Sequence, residues 1–508
     1  MYAIGLDLGT TGVKALTVDE TGQPAGMAYR EVTLVRPKAG WCEHDPAEVL
    51  CLVEEVLAQA AVAVEGQVEA IALSSHAQAV LPIDRASNPL YNIIVTMDDR
   101  TVPQFHWWQQ NADEEEIFLR TGVPFGSIYT VNKLMWHRQN NPQIFEKAWK
   151  FCCVQDYVSH WLTGEGPFID YSLAGRTMMF DPRAKDWESR VLELSGIPKE
   201  KLSKPMPSST VVGTLRDSLA SRLGLKKGIP VVLGAHDQVC GMLGAGVTRP
   251  GMAMDSCGTV EAMLVALPQL AMTPELLRCK YPCYPHAVPG QYVSMALNLN
   301  SGLLLKWFKD TFCQQETAFC AERGLDVYTY LIEHSAPDPS NILILPHLQG
   351  AGTPLMDPES QAAIVGLRAG HTKQDVCRAI LDSLAYDMKQ NIEAVEQAVG
   401  PIREIRMVGG GARTPRWLQI KANVFQKKLV TMKVREGAAM GAAILAMVQA
   451  GAYEDCCQAA DHMVQVQQEF LPEPDQWERY RPRYEQYGQL YHSLRQVNHS
   501  LSQLNAGV

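Results

Sequence analysis

The segment Gly234-Ala-His-Asp237-Gln238 places a carboxylate in a glycine-rich turn. Residues 228–233 show a β-branched pattern that predicts a short strand, and residues 239–246 show a small-residue pattern that predicts a helix. Because a ligand can approach closely at such a turn, Asp237 is a candidate general base. The alternative is that Asp237 caps the helix by accepting backbone N–H bonds.

A second acidic turn stands near the start of the chain, in Asp7-Leu-Gly-Thr10-Thr11-Gly12. Strand patterns flank it, so it predicts a hairpin whose tip offers backbone N–H groups and hydroxyls to a phosphate chain, with Lys14 adding a charge. Asp7 is itself an anion and is better suited to hold Mg²⁺ through water, since Mg²⁺ dehydrates reluctantly. An ordinary hairpin turn is the alternative.

Polar residues follow a strand predicted at 68–73, in Ser74-Ser-His76-Ala-Gln78. Side chains with both donors and acceptors at a strand end suit a polyol or a sugar. Asp98 and Arg100 offer a carboxylate and a guanidinium that could clasp further hydroxyls. The alternatives are a core histidine bonded to backbone and a local ion pair, which is the commoner arrangement of such charges.

The second half of the chain repeats the acidic turn, in Asp255-Ser-Cys-Gly258-Thr259, ahead of a strand predicted at 260–265. This hairpin offers another loop to phosphates. Gly409-Gly410-Gly411-Ala412 follows a strand predicted at 405–408, and three glycines leave room for a flat adenine ring against the backbone. A tight turn is the alternative.

Helical patterns frame these turns. Residues 298–310 predict the start of a helix that carries Gly302 and Lys306. Apolar residues at helical spacing predict amphipathic helices at 46–64 and 376–399. Small residues at 436–444 predict a closely packed helix, and the tail from Trp477 predicts a helix docked on the body. Turn residues cluster at 247–251, where we place a domain boundary.

The composition is that of a globular chain of 508 residues, 46% hydrophobic and 20% charged, which is too long for one core and predicts two domains. A net charge of -10 without Lys/Arg clusters argues against nucleic acid or a membrane surface as partner. The first residues form no signal peptide and no segment approaches membrane-spanning length, so a cytoplasmic enzyme is expected. The cysteine spacing indicates neither a zinc site nor a disulfide framework.

The acidic and glycine-rich turns occur in an order and at separations similar to those of the FGGY carbohydrate kinases. The resemblance covers essentially the whole chain. Residues 362–366 and 375–382 resemble the C-terminal signature of that family, which is its most specific part. Lys133-Leu-Met-Trp136 resembles the N-terminal signature, although His137 stands where the family usually has an apolar residue.

The resemblance implies an α/β fold of two actin-like ATPase domains, each ribonuclease H-like, with the active-site cleft between them. The N-terminal FGGY domain is expected at 1–247, with the sugar site, the first phosphate loop and the catalytic aspartate. The C-terminal FGGY domain is expected at 248–475 with the nucleotide site, and a helical tail at 476–508. Periodicity alone indicates mixed α/β structure in two halves.

By the same resemblance, the reaction is transfer of the γ-phosphoryl group of ATP to a sugar hydroxyl, with Mg²⁺ as cofactor. Asp237 takes the hydroxyl proton, and Asp7 holds the Mg²⁺ shell. With the residues singled out above, the sugar-binding set is His76, Gln78, Asp98, Arg100 and Gln238. The nucleotide-binding set is Thr10, Thr11, Lys14, Gly258, Thr259, Gly302, Lys306, Gly410, Gly411 and Ala412.

Departures from the family pattern bear on the sugar. Members that act on xylulose usually show Gln-Met-His where this chain has His76-Ala-Gln78, and those that act on glycerol show Gln-Arg-Glu. Thr96 stands where a tryptophan is usual, and Gly350-Ala-Gly lacks the Glu-Arg pair of many xylulose-specific members. We expect a ketopentose, with xylulose first and glycerol disfavoured; another sugar, a sugar alcohol or gluconate is the alternative.

Other functional classes share parts of this pattern. A non-catalytic sugar or ATP sensor on the same fold is expected to lose the base or a phosphate loop, whereas this chain has the base and all of the phosphate loops. An Hsp70-like or actin-like ATPase would lack the kinase signature at 362–382. A requirement of ATP turnover for added sugar discriminates between these classes. A homodimer is compatible with the sequence, which does not determine the oligomeric state.

Overall fold

The computed structural model describes residues 1–506, which form a mixed α/β fold. The strands of the N-terminal half are β1 Tyr2–Leu8, β2 Gly12–Asp19, β3 Pro24–Glu31, β4 Glu43–His44, β5 Ala70–Ser75, β6 Leu81–Ile83, β7 Ile93–Ile94, β8 Lys150–Cys152, β9 Phe168–Asp170, β10 Phe180–Asp181, β11 Asp186–Trp187, β12 Lys204–Met206, β13 Val211–Thr214 and β14 Pro230–His236. Its helices are α1 Pro46–Val62, α2 Val102–Asn111, α3 Glu114–Thr121, α4 Thr130–Asn140, α5 Pro142–Lys147, α6 Val154–Thr163, α7 Tyr171–Ala174, α8 Ser189–Ser195, α9 Asp217–Leu223 and α10 Asp237–Gly244.

The C-terminal half follows the same alternation of strands and helices. Its strands are β15 Met252–Cys257, β16 Glu261–Leu267, β17 Cys283–Pro285, β18 Tyr292–Asn298, β19 Leu343–Leu345, β20 Ala363–Val365, β21 Glu404–Val408, β22 Lys428–Met432 and β23 Val466–Phe470. Its helices are α11 Pro274–Arg278, α12 Ser301–Phe312, α13 Gln314–Arg323, α14 Val327–Glu333, α15 Lys373–Val399, α16 Pro415–Phe425, α17 Gly437–Gln449, α18 Cys456–Met463 and α19 Gln476–Ala506.

Three parallel strands of the first sheet end at one edge. The sheet has the order β13-β14-β5-β1-β2-β3, and both β1 and β14 run parallel to β5, which lies between them. Strand β1 turns back on β2 as an antiparallel hairpin, which confirms the predicted one. The carboxyl ends of these strands therefore place Asp7, His76 and Asp237 at the same edge of the sheet.

The second sheet repeats this plan around different loops. Its order is β17-β18-β16-β15-β21-β22-β23, with β15 and β16 as a hairpin and β21 parallel to β15. Ser256 pairs with Val408 at the ends of the two parallel strands. The turn that carries Gly258 and the glycine triplet after β21 therefore lie side by side.

Helix α17 packs the two halves directly against each other. A Cβ atom added at Gly5 of β1 would lie 1.8 Å from the carbonyl oxygen of Ala439, and one added at Gly441 would lie 1.9 Å from that of Cys240 on α10. A Cβ atom at Gly244 would lie 2.0 Å from the carbonyl oxygen of Gly437. The backbones of α17, β1 and α10 thus approach too closely for any side chain between them.

The tail helix α19 docks on α15, as the tyrosine spacing predicted. The hydroxyl of Tyr480 accepts a hydrogen bond from Nη2 of Arg378 at 2.7 Å, and the hydroxyl of Tyr487 donates to Asp387 at 3.1 Å. Although α19 is long, neither it nor another helix of the described residues combines the length and apolar character that a bilayer crossing needs.

We expect Gly441→Ala to destabilise the protein, because the new methyl group would clash with the carbonyl oxygen of Cys240 and push α17 away from α10. The expected loss in the free energy of unfolding is about 2 to 3 kcal/mol, measured by urea denaturation. Gly370→Ala is the matched control, since a Cβ atom there meets no atom within 4 Å. Equal stability of the two variants would contradict the close contact.

Candidate active site

Asp237 is the first residue of α10 and stands directly after β14. Its Oδ1 accepts a hydrogen bond from the backbone N–H of Gln238 at 2.6 Å and lies 3.0 Å from Nε2 of His236. Burial raises the pKa of Asp237, but His236, His76 and these hydrogen bonds outweigh it and leave the pKa below its usual value. Asp237 is therefore ionised at neutral pH. The N-cap residue of α10 is His236, so Asp237 does not occupy the capping position.

Asp7 lies in the field of Asp237 at the same sheet edge. Its carboxylate accepts a hydrogen bond from the hydroxyl of Ser74 at 2.9 Å. Burial, and after it the charge of Asp237, raises the pKa of Asp7 to about 6. Both carboxylates line a cavity of about 260 Å³ that Gly409 and Glu436 of the C-terminal half also line. A carboxylate whose charge is disfavoured by burial and by a neighbouring carboxylate fits a hard divalent cation, which is the role predicted for Asp7.

Several polar atoms around Asp237 are buried without a partner. The Nδ1 atom of His76 donates to the carbonyl oxygen of Leu8 at 2.8 Å, and burial lowers the pKa of the ring, so Nε2 is a bare acceptor. Within the described chain, Nε2 of His76, Nδ1 of His236, Oε1 of Gln238 and the hydroxyl of Tyr284 have no hydrogen-bond partner. The hydroxyls of a polyol could satisfy such atoms.

Arg176 contacts Gln78 and Tyr284, and the sequence did not single it out. Its guanidinium lies between Tyr129 and Tyr284, at 5.4 and 5.1 Å from the two ring centroids. The amide oxygen of Gln78, turned toward it, accepts hydrogen bonds from its Nε and Nη2 at 3.0 and 2.9 Å. Its Nη1 is buried with no partner among residues 1–506. The available signal was one charged residue within the otherwise uncharged run 173–180.

Asp98 and Arg100 form a buried ion pair, which is the alternative that the sequence left open beside a contact with sugar hydroxyls. Nε and Nη2 of Arg100 each donate to Asp98 at 2.7 Å, and Nη2 also donates to Glu43 at 2.7 Å. Asp98 accepts a further bond from the backbone N–H of Cys42 at 2.6 Å, and the guanidinium stacks 3.8 Å from a ring centroid of Trp41. Both side chains are fully buried, so their polar atoms serve the fold.

The two lysines predicted to bind the nucleotide are paired within the protein. Lys14, on β2 of the first hairpin, forms an ion pair with Glu436 from the C-terminal half. A phosphate that bound Lys14 would take the place of that carboxylate. Lys306, on α12, is exposed and pairs with Asp310 one turn further along. The threonines at positions 10 and 11 stand at the hairpin tip, half-buried and exposed respectively.

The predicted nucleotide residues of the C-terminal half meet around one turn. The N–H of Gly302 donates to the carbonyl oxygen of Gly258 at 3.1 Å, and a Cβ atom at Gly302 would lie 2.5 Å from that oxygen. A Cβ atom at Gly411 would lie 2.6 Å from Cβ of Cys257, and Gly409 has a φ of 84°, which favours glycine. The structure thus brings together Gly258, Thr259, Gly302, Gly410, Gly411 and Ala412.

Two family models match the chain in succession. The N-terminal domain of the FGGY family of carbohydrate kinases matches residues 2–244, and the C-terminal domain of that family matches residues 253–450. The chain belongs to the FGGY family of carbohydrate kinases. The family predicted from the motifs is therefore confirmed.

Relatives of this FGGY kinase are named for several substrates. The xylulose kinase of Bacillus subtilis (strain 168) is 26% identical, over 94% of each chain. The gluconokinase of the same organism is 27% identical, over 94% of this chain and 93% of its own. The glycerol kinase of Koribacter versatilis is 30% identical, over 89% of this chain and 91% of its own. These relatives indicate a sugar kinase and leave the sugar open.

Solved structures of FGGY kinases share the arrangement of sheets and cleft. The xylulose kinase from Rhodospirillum rubrum superposes with a TM-score of 0.89 at 25% identity, over 98% of this chain and all of that chain. This FGGY kinase therefore has the two-domain actin-like α/β fold, as the motifs predicted. Its cavity combines an ionised carboxylate, a second carboxylate and Gly409 of the glycine triplet, which together can accept a proton and hold phosphates.

Asp7→Asn should stabilise the fold in metal-free buffer. Because the pKa of Asp7 is raised to about 6, the folded protein holds the proton more tightly than the unfolded chain, and stability falls as the pH rises through this range. The neutral amide avoids that loss. We expect this variant to melt about 2–4 °C higher than the wild type at pH 7, and the difference to vanish below about pH 4.

Asp19→Asn is the matched control in the same hairpin. Burial raises the pKa of Asp19, but hydrogen bonds from Thr21 and Gln23 outweigh it and lower the pKa. This substitution should therefore lower the Tm at pH 7. Thermal unfolding followed by circular dichroism measures both variants, and a Tm of Asp7→Asn at or below the wild-type value would contradict the raised pKa.

Proposed function

We propose that this FGGY kinase transfers the γ-phosphoryl group of MgATP to a hydroxyl of a small sugar, with a ketopentose such as xylulose as the first candidate. The proposal rests on one observation, the ionised Asp237 among the unpartnered polar atoms of His76, His236 and Gln238. A carboxylate base next to hydrogen-bonding groups without partners suits a polyhydroxy acceptor.

In this mechanism, Asp237 accepts the proton of the acceptor hydroxyl as the hydroxyl oxygen attacks the γ-phosphorus. A new O–P bond forms while the bond to the bridging β,γ-oxygen breaks, and ADP leaves. The first hairpin tip with Lys14 would hold the phosphates on one side, and the turn with Gly258 on the other. Asp7 would hold Mg²⁺ through water, and that ion would neutralise phosphate charge.

A sugar acid such as gluconate is the second candidate, and Arg176 favours it. Nη1 of this buried guanidinium has no partner in the part of the chain that the structure describes. A buried charge is costly without a counter-charge, and a carboxylate of the acceptor would supply one. A sugar alcohol or glycerol would offer only a neutral oxygen to the same atom.

Three expectations from the sequence stay predictions. They are the domain bounds at 1–247, 248–475 and 476–508, a cytoplasmic location and a homodimer. Sedimentation analysis would test the homodimer, and limited proteolysis would test the bounds, because cleavage is favoured at exposed linkers.

Asp237→Asn should lower kcat by about 10²- to 10⁴-fold, because an amide cannot accept the hydroxyl proton. A coupled ADP-release assay with MgATP across ketopentoses, aldoses, polyols, sugar acids and glycerol measures this, and titration with ADP checks that nucleotide still binds. Asp217→Asn, at an exposed position of α9, is the control and should keep the wild-type kcat. Near-normal turnover by the Asp237→Asn variant would refute the role of the base, and a wild type silent with every acceptor would favour a sensor.

Arg176→Gln separates the two candidate acceptors. For a sugar acid, the loss of the guanidinium should raise the acceptor KM by about 10- to 100-fold, since hydrogen bonds to charged groups are the stronger ones. For a neutral ketopentose, the increase should stay below about tenfold. The KM for ATP should change in neither case. Arg138→Gln is the control, because Arg138 donates to the backbone oxygen of Ser195 and shares no contact with Gln78 or Tyr284.

A further inference from the structure

A cluster of four side chains lies buried at the base of the C-terminal hairpin. Nζ of Lys421 donates to Asp255 at 2.9 Å, to Sγ of Cys257 at 3.0 Å and to Glu261. The ligand atoms of the three acceptors lie within 4.8 Å of one another, a spacing that could hold a metal ion. The ammonium of Lys421 bonds to all three, and an ammonium has three protons to donate.

The cluster lies directly beneath the glycine-rich turns. Asp255 and Cys257 belong to β15 and Glu261 opens β16, so the turn with Gly258 is the loop between them. Lys421 reaches the cluster from α16, the helix that follows the glycine triplet.

Two further contacts tie the cluster to the neighbouring segments. The hydroxyl of Ser301, the first residue of α12, donates to Oε2 of Glu261 at 2.6 Å. A Cβ atom at Gly409 would lie 2.7 Å from the carbonyl oxygen of Cys257, so the glycine triplet packs directly against the backbone of the cluster. One ammonium therefore links β15, β16 and α16 directly and α12 through Ser301.

The charges of the cluster balance at neutral pH. Burial, and after it repulsion from Glu261, raises the pKa of Asp255 to about 8, so Asp255 carries a proton. Burial also acts against the charge of Glu261, but the ammonium of Lys421 outweighs it and lowers the pKa of Glu261. One ammonium then faces one carboxylate, and no net negative charge lies beneath the turns that would receive phosphates.

We infer that Lys421 is a positioning residue for the nucleotide: its ammonium serves as an internal cation that fixes the turn at Gly258, the start of α12 and the glycine triplet relative to one another. Lys421 is fully buried, and its ammonium is bonded to the cluster, so it can act on the nucleotide only through the segments that it holds. The inference rests on the proposed function, which assigns the nucleotide to these segments. A buried ion pair is weak evidence for stability, because desolvation offsets its attraction, whereas in some proteins such a pair fixes one geometry.

Lys421→Met tests this role, because methionine fills the space of the lysine stem without its charge. We expect the Kd for MgADP and the KM for ATP to rise by about tenfold or more, because small displacements of binding groups have large effects. The acceptor KM should stay within about twofold. Arg378→Met is the matched control. It removes another buried cation of the same half, bonded to Asp382 and Tyr480, and should lower the Tm without changing the Kd for MgADP.

Ser301→Ala is the milder variant if the Lys421→Met enzyme fails to fold. It removes only the bond to Glu261, and we expect the Kd for MgADP to rise by about threefold with a smaller loss of Tm than in Lys421→Met. Titration calorimetry with MgADP, without any acceptor, measures every variant. A wild type that bound no MgADP would overturn the proposed function. If the wild type binds MgADP and the Lys421 and Ser301 variants bind it with the same Kd, only the positioning role is overturned.

Discussion

The direct contact of α17 with β1 and α10 is the constraint on which the cleft depends. No side chain separates the three backbones at Gly5, Gly244 and Gly441, so the halves cannot change their spacing at this contact without opening a void in a close-packed interior. Asp7 ends the strand on one side of the contact, and Asp237 begins the helix on the other. Both carboxylates belong to the N-terminal half, so the distance between them follows from the sheet that joins β1, β5 and β14 rather than from the loops around the cavity.

Burial raises the pKa of Asp7 and of Asp237 alike, and their neighbours decide the outcome. His236 and His76 stand next to Asp237 and favour its charged form. Near Asp7, the charge of Asp237 raises the pKa of Asp7, and the effects of Ser74 and Lys14 that lower it are weaker. The two carboxylates of one cavity thus differ in proton affinity. Such a separation suits two roles, a base that is always ionised and a site that gains from a cation.

The sequence predicted the elements whose patterns are local, including both hairpins, α15 and the glycine triplet. The strand ends meet because parallel strands share an edge, so Asp237 could be placed near the first hairpin. The bond of Arg100 to Glu43 could not be predicted, because Glu43 lies 57 positions away, whereas the local pair with Asp98 was one of two open alternatives. The same holds for Lys421, which is 160 positions from Glu261.

Because the cation at the centre of the buried cluster is a lysine, it is part of the covalent chain. Its occupancy is one per molecule from the moment of folding, with no loading step and no competition from other ions in the medium. A chelator that strips the magnesium travelling with a nucleotide would leave this ammonium in place beside Asp255, Cys257 and Glu261. The support that this ammonium gives to the glycine turns is thereby independent of the metal content of the surroundings.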